Sequence, residues 1–120
     1  MKKAILTGSL FTLTPFIITE AALAGDIANG KAKYETLCLS CHGATGLGDG
    51  PIGAALPEGQ KPRNLQDKAA YKFATDDAKL AQIIKHGGGS VGLSMLMPAQ
   101  GSLSDAEISD LVAYVKSLQK

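Results

Sequence analysis

The five residues Cys38-Leu39-Ser40-Cys41-His42 constrain this chain more than anything else in it. Two thiols separated by two residues can each add across a vinyl group of a haem. A histidine directly after the second thiol then lies under the iron, in position to be its proximal ligand. The chain has no other cysteine, so no thiol is left over for another role. The pattern therefore points to one covalently attached haem c, held through Cys38 and Cys41.

Three other readings of the motif are weaker. A redox dithiol wants a hydrophobic strand leading into it, and the residues before Cys38 have no strand character. A structural zinc site wants four ligands; Cys38, Cys41, His42 and His86 are four, but the histidines do not form a spaced finger pair. A disulfide closing two intervening residues would be strained and would add little stability.

The 120 residues allow one small domain. Its first 24 residues read as an export signal: Lys2 and Lys3, an apolar stretch from Ala4 to Ile18, and Ala22-Leu23-Ala24 as the cleavage site. Residues 25–120 are then the mature domain, exported to the periplasm, with no stretch long enough to span a membrane. Lys2, Lys3 and Glu20 leave with the signal, so twelve basic and eleven acidic side chains become ten and ten. A neutral chain without a basic stripe is not a nucleic-acid binder. Its aromatic residues are Tyr34, Tyr71, Phe73 and Tyr114, with no Trp. A domain this small has a marginal core, and a buried macrocycle would enlarge it.

Along the mature chain, Asp26 is placed to cap a helix running to about Cys41, with Ile27, Gly30, Tyr34, Leu37, Cys38 and Cys41 on its apolar face. Gly43 to Gly59 reads as an irregular glycine-rich loop. Gly48, Gly50 and Gly53 match G-x-G-x-x-G, but no strand precedes them and Pro51 interrupts the turn, so nucleotide binding is rejected. Leu65–Tyr71 is expected to hold one or two helical turns. A helix from Thr75 or Asp76 to about His86 carries Leu80, Ile83 and Ile84, and Gly87-Gly88-Gly89 ends it. Gly92–Gln100 is expected to be extended. Ser104-Asp105-Ala106-Glu107 is a capping box, and Ile108, Leu111, Val112, Val115 and Leu118 follow it on one face. The fold class is all-α: three main helices plus one or two short ones, with loops whose length suits a chain wrapped around a cofactor.

A haem iron bound by His42 has a sixth position. A filled one favours electron transfer, and an open one permits gas or peroxide chemistry. The candidates are Met97, Met95 and His86. In an extended segment the two methionines point to opposite faces, so only one reaches the iron. Pro98 stiffens the backbone at Met97, which favours it over Met95. His86, at a helix end beside Lys85, fits better as a solvent-facing residue stabilising that terminus.

Together these residues resemble the class I mono-haem cytochromes c. The likeness runs through Gly30 and Tyr34, Cys38 to Gly43, Gly46 to Pro51, Lys61 to Leu65, Met97-Pro98-Ala99 and the helix from Leu103 to Leu118. It implies a cytochrome c fold in which the first and last helices cross at Gly30, flanked by Tyr34 and Tyr114. It implies that the Pro51 carbonyl accepts the His42 N–H, and that Arg63 pairs with a haem propionate. It also implies a periplasmic one-electron carrier, not an enzyme, cycling between Fe(II) and Fe(III) with His42 and Met97 as axial ligands and meeting redox proteins transiently. The alternatives are an electron-transfer subunit of a larger oxidoreductase, or a small peroxidase or gas sensor with a labile sixth ligand.

Overall fold

The computed structural model describes residues 25–120. The expected signal sequence lies outside the described residues. Within them the order is α1 (Ile27–Leu37), α2 (Leu39–His42), α3 (Pro51–Ala55), α4 (Asp77–His86), a 3-10 turn (Gly88–Val91) and α5 (Asp105–Leu118), with no strand. No described helix is long and apolar enough to cross a membrane.

The three main helices begin where side chains satisfy their first free amides. Asp26 Oδ1 accepts from Asn29 N at 3.0 Å, and Asp76 Oδ1 from Lys79 N at 3.0 Å. At α5 the capping box is complete: Ser104 Oγ accepts from Glu107 N at 3.2 Å, and Glu107 Oε2 from Ser104 N at 2.8 Å.

One hydrophobic core joins these helices: Tyr34 from α1, Leu65, Tyr71 and Ala74 from the connecting segment, Leu80 and Ile84 from α4, and Ile108, Leu111, Val112, Tyr114 and Val115 from α5. Helices α1 and α5 meet at Gly30, where an added Cβ would lie 2.0 Å from the Asp110 carbonyl oxygen. One turn on, the Tyr34 and Tyr114 rings stand edge to face with centroids 5.1 Å apart. Two salt bridges, Lys85–Asp105 and Lys116–Asp77, link α4 to α5 near opposite ends.

Several local expectations are corrected. The first helix breaks at Cys38, so the motif has its own turn. Ile27 and Leu37, expected on the buried face, are exposed. Helices that cross at a point bury the residues at that point, Gly30 and Tyr34, rather than a full-length stripe. Pro51 opens a short helix within the expected loop, since proline at the first helical position supplies the right φ and needs no donor. Leu65–Tyr71 forms turns and no helix, because the Asn64 and Asp67 side chains accept from Gln66 N and Ala69 N and compete with helical bonding. Gly92–Gln100 is not extended: Met97 N donates to Ser94 O at 3.3 Å, closing a turn with Met95 and Leu96 at its tip.

Candidate functional site

The cysteine–histidine motif lies directly after α1. His42 N and Gly43 N donate to Cys38 O and Leu39 O, at 2.8 and 2.9 Å, which winds Leu39–His42 into a single turn. Both thiols are half-buried and unbridged. Burial, and secondarily the neighbouring Cys41, push the Cys38 thiol up to about 11. That is opposite to the lowered value a redox dithiol needs, and it argues against thiol–disulfide chemistry at this pair. Among the described residues no three or more His, Cys, Asp or Glu side chains converge on a metal-ion position, so the zinc reading has no geometric support either.

Burial lowers the His42 imidazole from its ordinary range, which favours the neutral form that a metal ligand requires. The Arg63 backbone opposes this in part, without completing a bond, since Nδ1 is buried and has no hydrogen-bond partner. The bond expected from the Pro51 carbonyl is therefore not made. Pro51 instead stands exposed at the start of α3.

The glycine pattern dismissed as a nucleotide loop has a structural purpose that sequence reasoning missed. A Cβ at Gly50 would lie 2.4 Å from Leu39 O and 2.5 Å from Ser40 O; at Gly53 it would lie 2.1 Å from Cys41 O. A Cβ at Gly48 would meet Pro62 O at 2.5 Å. The loop and α3 thus lie flat against the carbonyls of the motif, where no side chain fits. The spacing was visible in the sequence, but nothing there identified the surface the glycines approach.

Tyr34, fully buried, donates its hydroxyl to Gly43 O at 2.8 Å, tying α1 to the residue after His42. Gly43 has φ of 80°, a conformation suited to glycine. Replacing Tyr34 by Phe removes the hydroxyl, while Gly46 N still reaches the same carbonyl at 3.3 Å. The expected loss is about 1 kcal/mol, read as a lower denaturation midpoint with the haem spectrum retained.

The Met97 segment is fixed through its backbone to the end of α4. Gly88 N donates to Met97 O at 3.2 Å, Gln100 N to Ile84 O at 2.9 Å and Leu93 N to Gly88 O at 2.9 Å. Met97 and Cys38, distant in sequence, are both half-buried against the same hydrophobic core. Met95 is 88% exposed. His86 is exposed and lines a groove of about 810 Å³ between α4 and α5, whose other lining residues include none of Cys38, Cys41, His42 or Met97. The Arg63 side chain is exposed and takes no part in the described ion pairs.

These residues fit a covalently held haem. Two unbridged thiols sit at the attachment spacing, a half-buried imidazole whose neutral form burial favours follows them, and a thioether lies on the margin of the same core. Imidazole and thioether are both recognised axial ligands of haem iron.

Residues 27–119 match the cytochrome c family. The chain is 32% identical to cytochrome c6 of Thermostichus vulcanus, over 96% of this chain and 91% of that protein. It is also 32% identical to cytochrome c-554(547) of Halothiobacillus neapolitanus, over 80% of this chain and 100% of that protein. A cbb3-type cytochrome c oxidase subunit CcoP from an Azospirillum species is 32% identical over 98% of this chain, which spans 38% of that protein.

Proposed function

Because this chain belongs to the cytochrome c family of electron-transfer proteins, we propose that it is a periplasmic one-electron carrier with a single haem c and His42/Met97 axial ligation. When bound, the haem supplies a one-electron Fe(II)/Fe(III) couple. Every other contribution comes from the chain. Cys38 and Cys41 anchor the group through thioether bonds, so it cannot dissociate. His42 presents a neutral imidazole from a turn held between Tyr34 and the close-packed glycines. Met97 presents a soft, neutral thioether from a segment pinned to α4, a ligand pairing that raises the potential. Arg63, exposed and without a carboxylate partner, is assigned to a haem propionate. His42 and Met97, each held by its own backbone bonds, would keep reorganisation small during electron transfer by the bound group.

The observation that supports this reading most strongly is that Cys38 and Met97 border one core, while the two other candidates for the sixth position, Met95 and His86, are exposed. The match to an oxidase subunit favours a second reading, in which the same domain serves as a fixed electron-transfer subunit.

The test begins with exported protein. Mass analysis and a haem-stained denaturing gel are expected to show a chain starting at Gly25 with one haem attached. The isolated ferrous protein is expected not to bind carbon monoxide rapidly, because both axial positions are taken. Rapid binding would defeat the carrier reading in favour of a gas-binding or peroxidase site. Co-purification with membrane oxidoreductase components would select the subunit reading.

A further inference from the structure

Resting on the reading that the leader is removed before Gly25, we propose that the α-ammonium group created on Gly25 by that cleavage closes the α1–α5 junction as an ion pair with Asp110, so that processing of the chain also completes its fold. Hydrolysis of the Ala24–Gly25 peptide consumes one water. Its hydroxyl goes to the Ala24 carbonyl carbon and its hydrogen to the Gly25 nitrogen as the C–N bond breaks. The amine then takes up a proton from solvent, since an α-amino group has an ordinary pKa of about 7.7–8.0. A neutral amide is thus exchanged for a cation at a place fixed by the fold.

Two contacts set that place. Gly25 lies flat on the backbone of α5: a Cβ added to it would be 2.1 Å from Ser109 O, 2.4 Å from the Ser109 carbonyl carbon and 2.7 Å from Asp110 N. Position 25 therefore admits only glycine, a demand made by packing on α5 and independent of any peptidase. One residue on, Asp26 N donates to Asp110 Oδ1 at 2.7 Å. Backbone bond lengths keep the Gly25 nitrogen within about 4 Å of the Asp26 nitrogen, which puts the new charge beside the Asp110 carboxylate.

Without it the junction lacks a cation. Among the described residues Asp26 and Asp110 enter no ion pair. Lys33, which borders the same hollow as Asp110, is engaged by Glu107 at 2.6 Å. On its other side Gly25 borders the groove between α4 and α5, together with His86, and there Asp105 and Asp77 engage Lys85 and Lys116. The positive end of the α1 dipole opposes the pair with about half a charge. Two full carboxylate charges outweigh it, so the amine stays protonated above its ordinary value. The stabilisation is therefore fully present below about pH 7.7, the α-amino value of the unfolded chain, and is lost as pH rises through the higher folded value.

Two exported holoproteins test this: the natural chain, and one with Ser-Ser inserted between Ala24 and Gly25, which moves the ammonium up to about 7 Å from the junction. At pH 7 the insertion is expected to lower Tm by about 2–5 °C, the range of an exposed ion pair in a domain of this size. At pH 9.5, with both amines neutral, the two midpoints should coincide. The lysines and His86 are common to both chains, so their titration cancels in the comparison. Asp110→Asn keeps an oxygen to accept from Asp26 N and removes only the charge. It is expected to cost about the same 2–5 °C at pH 7, and the insertion should then cost nothing further. An insertion without effect at pH 7, a loss that persists at pH 9.5, or two losses that add in full would overturn the proposal. Mass analysis of the natural chain keeps the two readings apart. A start other than Gly25 defeats the cleavage reading and the ion pair with it, whereas a start at Gly25 with no pH-dependent difference defeats the ion pair alone.

Discussion

Met97→Ala is expected to abolish the absorption band of the ferric thioether bond, lower the potential and open the iron to carbon monoxide and cyanide. Axial ligands span about 0.8 V of haem potential, and loss of a neutral thioether should account for roughly 0.1–0.3 V of that range. The fold is expected to survive the change. The bonds that hold the segment to α4 run from Gly88 N to Met97 O and from Gln100 N to Ile84 O, and neither involves the methionine side chain. Truncating a half-buried thioether costs on the order of 1–2 kcal/mol in packing, less than for a fully buried one. Potentiometry and ligand titration read the first effect, and thermal denaturation reads the second. Met95→Ala and His86→Ala should leave spectrum and potential unchanged. A Met97→Ala protein that kept its thioether band would assign the sixth position elsewhere.

The features legible in the sequence are those set by chemistry or by local geometry. The C-x-x-C-H spacing names a covalent attachment that few other structures require. The capping box at Ser104 and the apolar face from Ile108 to Val115 specify α5 without help from the remainder of the chain. Gly30 on the apolar face of α1 marks a place where another helix can approach closely, but only the resemblance names that helix, since one glycine does not say which helix it admits. The rest depended on encounters between distant segments. The Gly50 and Gly53 backbones approach carbonyls about ten residues back, an approach no periodicity encodes. The Leu65–Tyr71 segment has helical composition, but its Asn and Asp side chains capture the amides a helix would use. The Pro51 carbonyl is assigned to His42 by resemblance alone, and His42 Nδ1 has no hydrogen-bond partner in the folded chain. The two methionines differ through a turn, not a strand-like alternation: Met95 is exposed at its tip and Met97 packs against the core.

Gly30→Ala is expected to destabilise the folded protein by about 2–4 kcal/mol, which for a domain of this size lowers Tm by roughly 10–25 °C. The sign is informative, because helix propensity alone predicts the reverse. Alanine is better than glycine in a helix interior by about 1 kcal/mol. Here the new methyl would lie 2.0 Å from the Asp110 carbonyl oxygen, 2.6 Å from its carbon and 2.9 Å from Tyr114 Cβ. Two of those atoms are helix backbone and cannot rotate away, so α1 and α5 must separate. Separation loosens the edge-to-face pairing of Tyr34 with Tyr114, and with it the Tyr34 bond to Gly43 O that steadies the motif. The damage should therefore spread from the crossing toward the His42 turn. The covalent anchor does not depend on helix packing once formed, so the surviving holoprotein should keep its haem while its denaturation midpoint falls. Calorimetry of Gly30→Ala and wild type checks this directly. A neutral or stabilising result would mean that the close approach of these two helices does not hold the fold together.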